Sequence, residues 1–164
     1  MILDIKKAGS PILKAICEPV EHVDKRLRRL LDDMADTMYQ ADGVGLAAPQ
    51  VGENLRMAVV DAGDGLIELI NPVITRREGT VKDTEGCLSV PNWYGEVERS
   101  AKVKVEFTNR WGKKKILTAD GLLSRCIQHE LDHLEGQLFI DIAESLHEGK
   151  EEDKKARKAK RGKR

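Results

Sequence analysis

From Asp24 onward the apolar positions recur at helical steps. Leu27, Leu30, Leu31, Met34 and Met38 share one face, and Arg and Asp residues fill the other. Asp24 is placed to cap this helix and Gly43 to stop it. The following stretch, residues 43–52, is built mostly of small residues and reads as a structured loop. Short β-rich runs come next at residues 56–60, 66–71 and 73–76, punctuated by Gly63, Gly65 and Pro72. Residues 102–107 alternate cleanly, with Val103, Val105 and Phe107 on one face and Lys102, Lys104 and Glu106 on the other. The turn at 109–112 leads into 115–118, which predicts a β-hairpin. A second helix is predicted from Asp120 or Gly121. Leu122, Leu123, Cys126, Ile127, Glu130, Leu131 and Leu134 trace its inner face, and Gly136 stands at the C-terminal cap position. After Ile142 the apolar pattern fades and charge takes over. Helices set among hairpin-paired strands give an α+β fold: a mostly antiparallel sheet packed around one buried helix, with an N-terminal helix before it.

A chain of 164 residues suits one domain with a core. With only 2 Phe, 2 Trp and 2 Tyr, that core must be built from Leu, Ile, Val, Ala and Met. Three cysteines do not make a disulfide framework, and no apolar run approaches the length of a membrane span. The first residues break into charge too early for a signal peptide. These features predict a reduced, cytoplasmic protein. Lys plus Arg equals Asp plus Glu at 28 each, which excludes a globally basic nucleic-acid binder. The zero is nevertheless a cancellation. Residues 154–164, from Lys154 to Arg164, carry eight positive charges and no acid, which leaves 20 basic against 28 acidic residues elsewhere. Such a run is expected to be a solvated, disordered terminus.

The second helix carries Gln128-His129-Glu130-Leu131-Asp132-His133, which contains H-E-x-x-H. Residues four apart on a helix point the same way, so His129 and His133 can present two imidazoles to one metal ion. Glu130 can reach a water on that metal and move its proton. The bland alternative is a partly exposed polar face. Leu131 and Leu134 argue against it, because they mark a buried helix where idle His and Glu side chains would be costly. A metzincin-type site would need a third histidine where this chain has Phe139. A thermolysin-type site would use a downstream carboxylate, Glu144 or Glu148, in the segment that loses its apolar pattern. Cys87, within Glu85-Gly86-Cys87-Leu88-Ser89, is the better third donor, because a thiolate is a strong ligand and Gly86 eases crowding. Cys126 is its rival on the helix itself, although a small buried packing residue is the commoner use of such a cysteine; Cys17 reads the same way. A site closed by Cys126 as a fourth ligand would be structural, not catalytic.

Residues 43–48 also satisfy G-x-G-x-x-G/A formally. A dinucleotide site needs a strand before that motif and a helix after it, whereas here a helix precedes it and Pro49 follows. Its small residues suit a backbone edge along which a peptide can lie.

Three separated blocks, Gly43-Val44-Gly45-Leu46-Ala47-Ala48-Pro49-Gln50, Glu85-Gly86-Cys87-Leu88-Ser89 and Gln128-His129-Glu130-Leu131-Asp132-His133-Leu134-Glu135-Gly136, resemble in order and separation the signature motifs of the peptide deformylases. The resemblance implies a hydrolase that removes the formyl group from nascent N-formylmethionyl peptides and releases formate. It implies one divalent metal, Fe2+ with Zn2+ as a replacement, held by Cys87, His129 and His133 with a fourth position open. Glu130 would serve as general base and then general acid, and Gln50 and the backbone N–H of Leu88 would stabilise the oxyanion. Val44, Gly45 and Gly86 would contact the substrate, and Leu122 and Cys126 would line the methionine pocket. Residues 1–146 would form the catalytic domain and 147–164 a charged, basic tail, able to tether the enzyme to ribosomal RNA. No membrane or nucleotide cofactor is implied. Some bacterial members carry a substrate-touching Arg a few residues beyond the second motif. This chain has Trp93-Tyr94 there and Arg99 later, and that role passes to none of the three; aromatic packing on the sheet suits Trp93 and Tyr94 as well.

Overall fold

A computed structural model describes residues 1–149; the basic run at 154–164 lies outside them. The first helix, α1 (Lys25–Gln40), starts where Asp24 accepts a hydrogen bond from the Leu27 N–H at 2.9 Å. It buries Leu27, Leu31, Met34 and Met38 against Leu46, Met57, Val59 and Ile70. Its end differs from the expected glycine stop. Asp42 takes the left-handed conformation (φ 57), while the N–H of Asp42 donates to Tyr39 O and that of Gly43 to Met38 O. Gly43 also lies close to the hairpin tip at Leu88. A Cβ there would stand 2.7 Å from Leu88 Cδ1, so the Leu88 side chain would have to turn aside for any larger residue.

Residues 43–52, expected as loop, contain a short strand β1 (Gly45–Ala47) and a 3-10 turn over Ala48–Val51. Then follow β2 (Met57–Val60), β3 (Ile67–Cys87), β4 (Val90–Thr108) and β5 (Lys114–Asp120). The two short runs expected around Pro72 are one continuous strand, which bends where its register with β4 slips between Ile70 and Val73. Residues 77–87 and 90–101 also belong to strands, although the sequence shows no clear alternation through 77–84, because both faces of β3 there are exposed. The hairpin at 109–112 forms as expected, with the Asn109 side chain accepting from the N–H groups of Trp111 and Lys113.

Among the described residues the strands pair antiparallel in the order β1-β2-β3-β4-β5. The last strand, β6 (Ser145–Glu148), pairs with β4 at Trp93–Glu96, on the stretch that β5 leaves open. It lies beyond Ile142, where the apolar pattern has faded, and the domain boundary expected after Leu146 falls inside it. All four of its residues are exposed, so backbone pairing, with little side-chain burial, defines it. No helix among the described residues is long and apolar enough to cross a membrane.

The second helix, α2 (Gly121–Leu134), is the pivot of the fold. It ends in paired bonds from the Gln137 N–H to Asp132 O and the Gly136 N–H to His133 O. One side packs Cys126 and Ile127 with Val60, Leu69, Val103, Val105 and Ala119. The other buries Ser124, Arg125, Gln128, His129, Glu130 and His133. Burying that many polar groups is tolerable only if they are satisfied by partners or by a ligand.

Candidate metal centre

The tip of the β3–β4 hairpin, Leu88–Ser89, folds down toward the polar side of α2. Glu85 and Cys87 are two apart on β3, and His129 and His133 are four apart on α2. Two strand residues span about 6.6 Å and four helical residues about 6 Å, so the two pairs meet in register. Glu85 Oε1 lies 2.9 Å from His129 Nδ1, and Cys87 Sγ lies 3.4 Å from His133 Nε2. One ligand atom each from Cys87, His129 and His133 fall within 4.8 Å of one another. Three points this close, from one thiol and two imidazoles, form a metal-binding site.

The residues fit a cation on three counts. His129, with its Nδ1 proton donated to Glu85, turns an Nε2 lone pair toward Cys87. Burial works against a charged His129 imidazole, yet Glu130, Cys87 and Glu85 outweigh it and hold its pKa well above the ordinary value. A field that favours a proton at that point equally favours a metal ion, which displaces the proton. A buried polar atom is also left over. Among the described residues, Glu130 Oε1 beside the three donors has no hydrogen-bond partner. Burial holds His133 in its neutral, ligating form, with its pKa well below the usual value.

Burial pushes the Glu130 carboxyl up to about 7, and the neighbouring His129 only partly opposes this. Gly45 lies against it: a Cβ at that residue would stand 2.8 Å from the Glu130 carboxyl carbon. Gln50 is fixed by its own loop. Its Oε1 accepts from the Ala47 N–H at 2.9 Å, which turns Nε2 toward Ser89 Oγ (3.0 Å) and Cys87 Sγ (3.6 Å). A donor therefore faces the hairpin tip. Val44 and Leu122 pack on the apolar cluster that contains Cys126, immediately behind the metal helix. Gly86 sits where the β3–β4 register slips between Glu85 and Cys87.

The rival ligand sets are not assembled. Cys126 is buried in that apolar cluster. Glu144 pairs with Lys82 at the surface, Glu148 lies in exposed β6, and the Phe139 ring stacks 6.1 Å from His129. Tyr94 stacks with His147 at 6.0 Å, and Trp93 pairs with Glu148 across β4–β6, half-exposed.

Arg99, to which the sequence assigns no role, is buried here. It donates from Nε and Nη2 to the two oxygens of Glu85 at 2.8 and 2.9 Å, and from Nη1 to Asp132 at 2.5 Å. Burial alone would raise the Glu85 carboxyl, but hydrogen bonds from Arg99 and His129 hold it well below the usual carboxylate range. Glu85 is thus an ionised anchor for the His129 ring. The one sequence signal for it is its place two residues before Cys87. Glu85→Gln is expected to weaken metal affinity by about 10–100-fold, read by competition with a chelator, and to lower Tm because Arg99 loses a buried partner.

Two histidines and a carboxylate on one buried helix, met by a thiol from the β3–β4 hairpin on an antiparallel α+β frame, define a mononuclear metallohydrolase. The family profile described as polypeptide deformylase matches residues 2–149. A peptide deformylase of Desulfitobacterium hafniense is 54% identical over 142 residues, covering 87% of this chain and 95% of its own length. The crystal structure of the Thermotoga maritima peptide deformylase superposes with a TM-score of 0.87 at 40% identity, over 88% of this chain and 99% of that one. A Synechococcus elongatus peptide deformylase in complex with actinonin gives 0.85 at 46% identity, over 87% and 79%. The chain belongs to the peptide deformylase family, metallohydrolases that remove the N-terminal formyl group from formylmethionyl peptides.

Proposed function

We propose that Cys87, His129 and His133 hold one divalent ion, Fe2+, and that Glu130, Gln50 and the Leu88 N–H carry out deformylation beside it. The observation that carries this reading is the meeting of three ligand atoms within 4.8 Å next to a buried carboxylate oxygen without a partner. When bound, the metal supplies Lewis acidity and lowers the pKa of water. Glu130 takes a proton from the attacking water as its oxygen adds to the formyl carbon. Gln50 Nε2–H and the Leu88 N–H donate to the carbonyl oxygen as it becomes an oxyanion. Glu130 then gives its proton to the leaving nitrogen, the C–N bond breaks, and formate and a free amino terminus result. The backbone at Val44, Gly45 and Gly86 aligns the peptide, and Leu122 and Cys126 receive the methionine side chain.

Fe2+ rests on the family resemblance, and Zn2+ suits the same donors. Metal analysis of protein purified without oxygen decides between them. Formate release from a formyl-Met peptide by that protein tests the activity. Cys87→Ala is expected to lose both metal and turnover; retained stoichiometric metal would remove Cys87 from the ligand set.

The catalytic unit occupies residues 1–146, extended by the β6 pairing, and works in the cytoplasm, where nascent chains emerge. The basic run from Lys154 to Arg164 serves as an electrostatic tether to ribosomal RNA. Removing residues 154–164 is expected to weaken salt-sensitive ribosome binding and to leave hydrolysis of short formyl peptides intact. Unchanged ribosome affinity would reduce the run to a solubility feature.

A further inference from the structure

Arg125 has no part in the chemistry above, yet it is buried on α2 one turn before His129, at 7% exposure. Its Nη1 donates to Glu85 Oε2 at 2.6 Å and to Val97 O at 2.9 Å, and its Nη2 donates to Val81 O at 2.7 Å. Val81 and Glu85 lie on β3, and Val97 lies on β4. One planar guanidinium from the helix therefore grips both strands of the hairpin that ends in Cys87.

That grip bears on the metal centre because the ligands come from two separate elements. Cys87 rides on the hairpin tip, and His129 and His133 ride on α2. Their separation is set by how the hairpin is seated on the helix. Gln128 ties α2 to the Ser100 backbone of β4 and accepts from Arg77 of β3 at 3.2 Å, farther from the hairpin tip. Arg99 reaches from β4 to Asp132 of α2 and to Glu85 of β3. Arg125 reaches the opposite way, from helix to hairpin, and shares with Arg99 the carboxylate that orients His129. The guanidinium groups of Arg99 and Arg125 meet the carboxylates of Glu85 and Asp132, so the brace is a largely buried hydrogen-bonded network.

We propose that Arg125 is a positioning residue of the metal centre: by holding Glu85 and the Val81 and Val97 carbonyls, it sets the distance of Cys87 from His129 and His133. The proposal rests on the reading that these three residues hold the metal. Lysine cannot replace it fully, because a single ammonium lacks the flat fork that meets three acceptors on two strands.

The test uses the full chain loaded with Co2+, whose thiolate absorption band reports the Cys87 bond, together with metal loss to a chelator and steady-state kinetics of the native-metal enzyme. In Arg125→Met, metal loss is expected to quicken by about 10–100-fold, the Cys–Co2+ band to weaken, and kcat to fall with KM little changed. Arg125→Lys is expected to lie between Met and the parent, and it carries the test if the Met variant does not fold. Adding Arg125→Met to Glu85→Gln should cost less than it does alone, because the two act through one contact. Parental metal retention and a parental Co2+ band in Arg125→Lys and in any folded Met variant would overturn the proposal. Full additivity in the double variant would overturn it as well. Metal retained by Cys87→Ala would instead overturn the ligand reading, so the two failures are distinguishable.

Discussion

Glu130→Gln is expected to keep its metal and lose about 10²–10⁴ in kcat, the range for removing a positioned general acid–base group. Glutamine preserves the shape of the side chain and leaves Cys87, His129 and His133 untouched. What disappears is a group able to accept a proton from water and return it to the leaving nitrogen. Glu130 suits that exchange by its position: it is buried at 3% exposure, beside His129, with Oε1 unpartnered among the described residues. Paired measurements of formate release and metal stoichiometry separate this loss from loss of the ion. Unchanged turnover at full metal occupancy would remove Glu130 from proton transfer.

Gly45→Ala, a change of one methyl group, is expected to cost nearly as much. The added Cβ would lie 2.8 Å from the Glu130 carboxyl carbon and 2.9 Å from Cγ, far inside van der Waals contact. Neither neighbour can easily give way. Gly45 is paired to Val60 in β1, and Glu130 is on the most buried face of α2. Overpacking of this kind costs about 1–3 kcal/mol in stability. A displacement of the carboxylate by about 1 Å is worth about 10²-fold in rate. The expected result is a folded, metal-bound protein with a modestly lowered Tm and kcat/KM reduced by about two orders of magnitude. Near-parental kcat/KM would show that the strand shifts without moving Glu130.

The elements legible in the sequence are those whose burial is one-sided and local. In α1 the capping Asp24 and the stripe from Leu27 to Met38 coincide with the buried face, because that helix presents one side to one core. The 109–112 turn and the alternation in 102–107 are equally direct, since β4 there has one face on α2 and one in water. H-E-x-x-H is legible because helical period alone brings His129 and His133 together. Strand β3 through residues 77–84 is not legible: exposed on both sides, it has no period to reveal it. Strand β6 is defined by backbone pairing to β4, which leaves no mark on side-chain type.

The sequence by itself determined the two histidines, the carboxylate between them, the glycine-rich edge, Cys87 as the stronger third donor and, through its three motifs, the family. The tertiary structure alone decided how Cys87 reaches the helix and what holds it there. Glu85, Arg99, Arg125 and Asp132 come from β3, β4 and α2, as far as 47 positions apart, and read singly as ordinary surface charges. They become a largely buried brace because two residues of strand and four of helix advance by nearly the same length, so Glu85 can meet His129 while Cys87 meets His133. That match depends on the packing of two elements distant in sequence, and no local pattern encodes it.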